Sequence, residues 1–392
     1  MASVMLLRYF IKILIPVLIC GAFWYYYEAP YDNWSSLRYF CLAAAFAIYA
    51  AVILRGRMRD LSVVGATLML GLAGIEAYSV VTAARPIDYR PQGYSVSHPI
   101  LGWGPEHPGT FRQRKLAART RRVIFNVEYT IDKNLNRQVA SATRGPTIAF
   151  FGDSFTFGTG LNDKDTLPQQ VADLYDRRIR VLNFGFPGYG PQEFLRAVET
   201  NMYDPLLRGQ TRLVVFEAGS WLIERASCQA GWMLRAPRYK LIDNQPVFQG
   251  ACYQHWPSFL TELFANTALY HAFVEGALHG PSHADVNLFI AILARAGELV
   301  REKYGAPTLI LYIRSDDRYL KRSGYTDAKI MKRLREKGLD VVDASLDPKD
   351  FPGKPLSIPG DGHPSAIANA ARAKIVKTYI ERKNVNLKVA IQ

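Results

Sequence analysis

Residues 147–154, TIAFFGDS, decide the fold of this chain. A mostly apolar run of strand length is followed at once by a glycine, an aspartate and a serine. An apolar run without polar alternation is typical of a strand buried on both faces of a parallel sheet. In such sheets the reactive side chains follow the carboxyl ends of the strands. The stretch therefore predicts a reactive serine, Ser154, at a strand end.

The same pattern continues to the end of the chain, where apolar runs of strand length alternate with helical stretches. The predicted strands are Thr147 to Phe151, Arg180 to Phe184, Arg212 to Glu217, Thr308 to Ile313 and Leu339 to Asp343. The predicted helices lie near 166–176, 191–202, 286–304, 326–337 and 364–382. This alternation predicts an α/β domain whose parallel sheet is covered by helices on both faces.

Two partners for Ser154 lie in the segment PGDGHP, residues 359–364. In an extended loop, Asp361 and His363 project to the same side. The aspartate can fix the imidazole tautomer while His363 takes the proton of Ser154. Taken singly, Ser154 and Asp361 are also suited to helix caps and His363 to the surface. Taken together and in this order, they predict a catalytic triad.

Three segments resemble sequence blocks of the SGNH/GDSL hydrolase family: Gly152-Asp153-Ser154, the stretch from Asn183 to Gly188, and the stretch from Asp361 to Pro364. The resemblance covers roughly residues 98–382. It implies a three-layer α/β/α, flavodoxin-like domain that performs acyl chemistry through a serine ester.

The resemblance also assigns roles to single residues. It implies that Ser154 is the nucleophile, His363 the base and Asp361 the group that orients the base. The backbone N–H groups of Ser154 and Gly188 would bind the oxyanion. The third block of the family usually supplies an asparagine as a further oxyanion donor, and here Ser220 stands in its place. Loss of one such donor can cost about 10²- to 10³-fold in rate.

The Asp-x-His spacing is a second departure, because Asp-x-x-His is the commoner form. The shorter spacing resembles periplasmic polysaccharide O-acetylation proteins of the same superfamily.

Three hypotheses for the function follow. The first is an esterase or deacylase acting on an acylated, chiefly acetylated, envelope carbohydrate or lipid. The second is a polysaccharide O-acetyltransferase that works with a partner membrane protein as acyl donor. The third is a catalytically weak module that binds glycan or scaffolds an assembly.

The first 84 residues contain three apolar stretches: Tyr9 to Tyr27, Leu37 to Leu54 and Leu61 to Ala83. A helix needs about 20 residues to cross a hydrocarbon core of about 30 Å. Each stretch reaches or approaches that length. The sequence therefore predicts three transmembrane helices before the α/β domain, and membrane lipids as partners.

The distribution of lysine and arginine predicts the orientation. Arg8 and Lys12 lie at the start of the first stretch, and residues 55–59 between the second and third contain three arginines. The first connection, EAPYDNWSS, contains no lysine or arginine. The positive-inside rule places the N-terminus in the cytoplasm. Three crossings then put everything after Arg85 on the extracytoplasmic, periplasmic side of the inner membrane.

Composition and charge add further limits. Of the 392 residues, 49% are apolar, which is typical of a packed core and excludes disorder as the main state. Net charge is +14. Six cations without an acid form a run: Arg112, Arg114, Lys115, Arg119, Arg121 and Arg122. This run is suited to anionic lipid or an acidic polymer, or equally to a solvated surface near the membrane. Nucleic acid is not expected outside the cytoplasm.

Four cysteines and no Cys/His cluster with zinc spacing predict neither a metal nor another cofactor. Cys228 and Cys252 bracket a predicted hairpin, YKLIDNQPVF. The sequence alone leaves two unpaired buried thiols as the alternative, but the extracytoplasmic location favours a disulfide.

The sequence predicts that the chain is divided into a membrane domain at 1–85, a linker with accessory β segment at 86–145, the SGNH-like domain at 146–383 and a tail at 384–392.

Overall fold

The computed structural model describes residues 14–19, 21, 35–82, 86–230, 232–253, 267, 269–270, 280–315 and 317–387. The chain forms two compact units. The first combines Met1–Tyr89 with Leu116–Arg121 and Phe259–Leu278. The second combines Arg90–Lys115, Arg122–Ser258 and His279–Gln392. The predicted boundaries at residues 85, 145 and 383 stay predictions.

The described strands are β1 (Ile87–Tyr89), β2 (Val96–His98), β3 (Gly102–Gly104), β4 (Gly109–Leu116), β5 (Val123–Ile131), β6 (Thr147–Phe151), β7 (Arg180–Asn183), β8 (Thr211–Gly219), β9 (Pro237–Ile242), β10 (Gln245–Ala251), β11 (Thr308–Ile313) and β12 (Asp340–Asp343). The described helices are α1 (Ser35–Ile53), α2 (Arg57–Thr82), α3 (Ser154–Phe157), α4 (Leu167–Asp173), α5 (Pro191–Glu199), α6 (Asp204–Leu207), α7 (Leu222–Ala226), α8 (His283–Tyr304), α9 (Asp317–Leu320), α10 (Asp327–Glu336) and α11 (Ala366–Arg382). Each predicted strand and helix of the α/β domain is present, with ends shifted by a few residues.

The first unit contains the long apolar helices α1 and α2, which pack together. Among the described residues, one helix is long and apolar enough to cross a membrane, and it covers Arg57–Ser79 within α2. The apolar part of α1, Leu37–Ile53, is shorter. The first predicted span lies mostly outside the described residues. One such helix is weak evidence for a membrane, so the three crossings stay predictions.

An ionisable side chain, Glu76, lies within the apolar helix α2. It is fully buried, and its Oε2 accepts a hydrogen bond of 2.8 Å from the backbone N–H of Leu269. A buried polar group is costly unless such a bond compensates it. Glu76 therefore joins two sequence-distant parts of the first unit.

The second unit is built on a five-stranded sheet with the order β12-β11-β8-β6-β7. Every neighbouring pair in this sheet is parallel. Alternate residues of β6 face opposite layers: Phe150 packs in the cluster that contains residues of α4 and α11, and Phe151 in the cluster that contains residues of α5 and α8. The predicted α/β class and parallel sheet are confirmed.

The accessory strands β4 and β5 are neighbours in a small separate sheet. Their inner faces belong to the same core as the large sheet, since Tyr129 of β5 meets Phe157 at a ring-centroid distance of 5.1 Å. The hydroxyl of Tyr129 donates to Gln113 of β4 at 2.5 Å. This segment is therefore packed against the domain that carries Ser154.

The hairpin of β9 and β10 is antiparallel and turns at Asp243 and Asn244, both with positive φ. Two consecutive positive φ values are typical of the tight turn that matches strand twist. Cys228 and Cys252 are bonded, with their Cα atoms 5.5 Å apart. The predicted hairpin and disulfide are both confirmed.

Candidate active site

Ser154 lies where the sheet ends and α3 begins. The preceding Gly152 has a φ of +154°, and a Cβ there would lie 2.3 Å from Thr156 Oγ1, so only glycine fits. Asp153 caps α3, because its Oδ1 accepts a hydrogen bond of 2.8 Å from the N–H of Phe155. The local sequence thus turns the chain sharply and places Ser154, which is 7% exposed, at the end of β6, between β8 and the edge strand β7.

His363 and Asp361 meet directly in the loop before α11, through Nδ1 and Oδ1. The Asp361 side chain has no exposed surface, whereas that of His363 is 23% exposed. The expectation of an extended loop was wrong. Gly360 and Gly362 have φ values of +80° and +95°, and the N–H of Asp361 donates to Ile358 O. A turn built on these glycines, instead of strand-like alternation, brings the two side chains together.

The imidazole of His363 lies next to the nucleophile loop. Its ring centroid is 5.7 Å from that of Phe155, the residue after Ser154. Within the described part of the chain, Ser154 Oγ and His363 share no hydrogen bond. Such bonds are often long in unliganded enzymes and tighten with substrate. The structure thus joins His363 with Asp361 and brings their loop to Ser154, while the complete triad stays a prediction.

The second oxygen of Asp361 has a partner that the sequence did not predict. Asp361 Oδ2 accepts a hydrogen bond of 2.5 Å from Lys115 Nζ. Burial raises the pKa of Asp361, but the hydrogen bonds and charges of His363 and Lys115 outweigh it and lower this pKa to about 2. Because the pKa of Asp361 is depressed in the folded state, its charged form stabilises the fold. This contribution to folding stability is present above about pH 4 and is lost as the pH falls towards about 2.

The loop after β7 is fastened to the nucleophile loop by two hydrogen bonds. Phe186 N–H donates to Gly152 O at 3.2 Å, and Asn183 Nδ2 donates to Thr156 O at 3.0 Å. Gly188 follows with a φ of +88°, and a Cβ there would lie 2.9 Å from the Trp232 ring and 3.0 Å from that of Trp103. This position requires glycine, which exposes the backbone for the predicted oxyanion role.

The loop after β8 carries Ser220, the residue in the place of the family's asparagine. Ser220 is fully buried, and its Oγ is in close hydrogen-bond contact with Ser315 Oγ, in the loop after β11. If Ser315 donates in this pair, Ser220 keeps its own proton for an oxyanion. The next residue, Trp221, donates from Nε1 to Asp153 Oδ2 at 3.0 Å. The loop of Ser220 therefore borders the nucleophile loop.

Restoring the family's asparagine alone should not help. Ser220→Asn inserts a longer side chain into a fully buried site against Ser315, and overpacking costs about 1–3 kcal/mol. We expect about tenfold lower turnover. The double variant Ser220→Asn/Ser315→Gly makes room and should recover the loss. Ester turnover of both variants, with Ser315→Gly alone as the control, tests this; a fully active single variant would contradict it.

The arrangement is suited to acyl transfer, because it places a serine, a histidine hydrogen-bonded to a carboxylate, and the glycine-containing loop of Gly188 next to one another. No protein-family model matches the sequence, and no curated protein matches it.

Several solved structures are similar to the chain. One is the psychrotrophic esterase EstA from Pseudoalteromonas sp., with 14% identity, 61% of this chain and 99% of that chain covered, and a TM-score of 0.36. Another is AlinE4, an SGNH-hydrolase family esterase, with 14% identity, coverages of 62% and 98%, and a TM-score of 0.34. A third is the salicylyl-acyltransferase SsfX3 from a tetracycline biosynthetic pathway, with 12% identity, coverages of 70% and 61%, and a TM-score of 0.36.

The family of AlinE4 is the one that the three motifs resemble. The assignment of the site rests on the motifs and on the geometry of the loops.

Arg225 of α7 is a residue of the site that sequence reasoning missed. Its Nη1 donates to Asp153 Oδ2 and to Tyr189 O, both at 2.8 Å, and so links the nucleophile loop to the loop of Gly188. No local motif marks this arginine. Glu193 does carry a signal, since it is the third residue after Gly190 at the start of α5.

Glu193 stabilises the loop of Gly188 through a hydrogen bond. Its Oε2 accepts a hydrogen bond of 2.6 Å from the N–H of Gly190. Burial raises the pKa of Glu193 to about 8, although that bond and the Arg225 charge act in the opposite direction. Glu193 and Arg225 thus hold the two ends of the Tyr189-Gly190 segment.

Proposed function

We propose that this chain is a membrane-anchored SGNH-type serine esterase that acts outside the cytoplasm on an acylated, chiefly acetylated, envelope carbohydrate or lipid. The Ser154 hydroxyl attacks the ester carbonyl while His363 takes its proton. The N–H groups of Ser154 and Gly188 and the hydroxyl of Ser220 stabilise the oxyanion. His363 then returns the proton to the leaving alcohol, and water hydrolyses the acyl ester on Ser154 with His363 as base.

The observation that carries this proposal is the pair of His363 and Asp361 beside the nucleophile loop. A carboxylate without exposed surface is costly unless it is paired, and this one is aligned on a histidine ring nitrogen. A module that only binds glycan needs neither this pair nor the glycine-built turn before Ser154. The geometry therefore favours catalysis over scaffolding.

Trp232 supports a carbohydrate as the acyl carrier. Trp232 is 47% exposed and its ring lies beside Gly188, with its centroid 5.8 Å from that of Trp103. A partly exposed indole offers a flat apolar surface, and the apolar C–H face of a pyranose ring packs well on such a surface. A sugar bound there would bring an attached ester close to the loop of Gly188.

Acetate release by the full-length protein in detergent tests the proposed reaction. We expect hydrolysis of p-nitrophenyl acetate and of an acetylated oligosaccharide. The same reactions with an unmodified oligosaccharide added show where the acyl group goes. Transfer to that sugar in place of water would favour the acetyltransferase alternative. Folded protein without turnover on either ester would favour the binding module.

Reporter fusions test the location. A periplasm-active phosphatase fused after Gln392 should be active, because an N-terminus inside and three crossings place the C-terminus outside. The same reporter fused after Arg59, in the predicted cytoplasmic connection, is the matched control and should be inactive. The reverse pattern would contradict the proposed orientation.

A further inference from the structure

A lysine from outside the five-stranded sheet binds the predicted catalytic aspartate. Lys115 lies in the accessory strand β4, and its Nζ is 2.5 Å from Asp361 Oδ2. The Lys115 side chain is 20% exposed and that of Asp361 not at all. Because His363 contacts the other oxygen, Oδ1, the carboxylate is held at both ends. A carboxylate fixed at both oxygens cannot rotate away from the imidazole.

The sequence pattern of β4 explains how Lys115 differs from the neighbouring cations. Successive side chains of a strand point to opposite faces. Phe111 and Gln113 are buried and Arg112 and Arg114 exposed, so that Lys115 shares the inner face. The run of six cations is therefore not one solvated surface, because Lys115 faces the site and Arg114 faces solvent.

We propose that Lys115 is a positioning residue of the acyl-transfer site: its ammonium group orients the Asp361 carboxylate towards His363 and shares its negative charge. This inference rests on the proposed function. The orientation keeps Oδ1 on Nδ1, so that Nε2 is left as the base. The shared charge weakens the attraction of Asp361 for a positive charge on the imidazole.

The surroundings of the loop leave this role to Lys115. Among the described residues, the charged or titratable side chains in contact with Asp361 are Lys115 from β4 and His363 from its own loop. The side chains that face this loop from β5 and α3 are apolar: Ile124 lies against Gly360, and Phe155 against His363. In the described chain, no second cation therefore contacts Asp361 and could take the place of Lys115.

The test is Lys115→Met in the full-length protein, which keeps most of the apolar stem and removes the charge. An unshared carboxylate favours the imidazolium, so the acidic limb of kcat/KM against pH should move up by about 1 pH unit. Lys115→Arg restores a cation and should move the limb back. Arg114→Met, one residue away on the exposed face, is the matched control and should leave it in place.

A second measurement does not depend on turnover. In protein labelled with ¹³C-histidine, the NMR titration of His363, assigned with His363→Asn, should show a higher midpoint in Lys115→Met by the same amount. Thermal unfolding of each variant separates this effect from a loss of fold, which lowers activity at every pH without moving the limb. An unmoved limb and midpoint in folded Lys115→Met would overturn the inference. A wild-type protein without turnover would contradict the proposed function, while the midpoint would still report on Lys115.

Discussion

Ser154→Ala and His363→Ala should each lower ester turnover by about 10⁴- to 10⁶-fold, because a nucleophile and its base act as one unit. Without the Ser154 hydroxyl no acyl ester can form. Without His363 the hydroxyl keeps its proton, and the leaving alcohol receives none. The double variant should be about as active as either single variant, since each removal alone already disables the unit.

Turnover of p-nitrophenyl acetate and labelling by a fluorophosphonate probe measure this effect. Ser97→Ala, at an exposed position of β2, is a matched control that should label and turn over like the wild type. Labelling that survives Ser154→Ala would show that another serine is the nucleophile. Losses of the two single variants that add up in the double variant would contradict the shared role.

Arg225→Met should have the second largest effect, on both stability and turnover. Its partner Asp153 is 1% exposed, and removing one member of a buried ion pair costs about 3–5 kcal/mol. The hydrogen bonds from Trp221 and from the Phe155 N–H remain, so we expect the lower end of this range. Turnover should fall by about 10²-fold, because the bond to Tyr189 O that holds the loop of Gly188 is lost as well.

The double variant Arg225→Met/Asp153→Asn separates these two effects. An amide at position 153 still accepts the Phe155 N–H bond and carries no charge, but its NH2 group cannot accept the bond from Trp221, so the thermal stability should return in part. Turnover should stay low, because the loop of Gly188 still lacks its hydrogen bond from Arg225. Lys332→Met, which removes an exposed ion pair with Glu336, is the control and should change little. Recovery of full turnover in the double variant would assign Arg225 a purely structural role.

The sequence by itself determined the features that depend on neighbouring residues. Apolar runs predicted all five strands of the sheet, and the glycine-containing stretch after the first of them predicted a reactive serine, Ser154, at a strand end. Burial periodicity and glycine conformation are local properties, so they can be read from a short window of residues. The disulfide needed one more step, because the predicted location decided between bonded and free thiols.

Only the tertiary structure decided which distant side chains complete the site. Lys115 reaches Asp361 across 246 residues, Ser315 reaches Ser220 across 95, and Arg225 reaches Asp153 across 72. These contacts depend on how strands and loops pack and on which face each side chain takes, and no local pattern encodes either. For the same reason, the loop of His363 is a turn although an extended loop was expected. Residue type and order thus predicted the reacting groups, and packing selected the residues that position them.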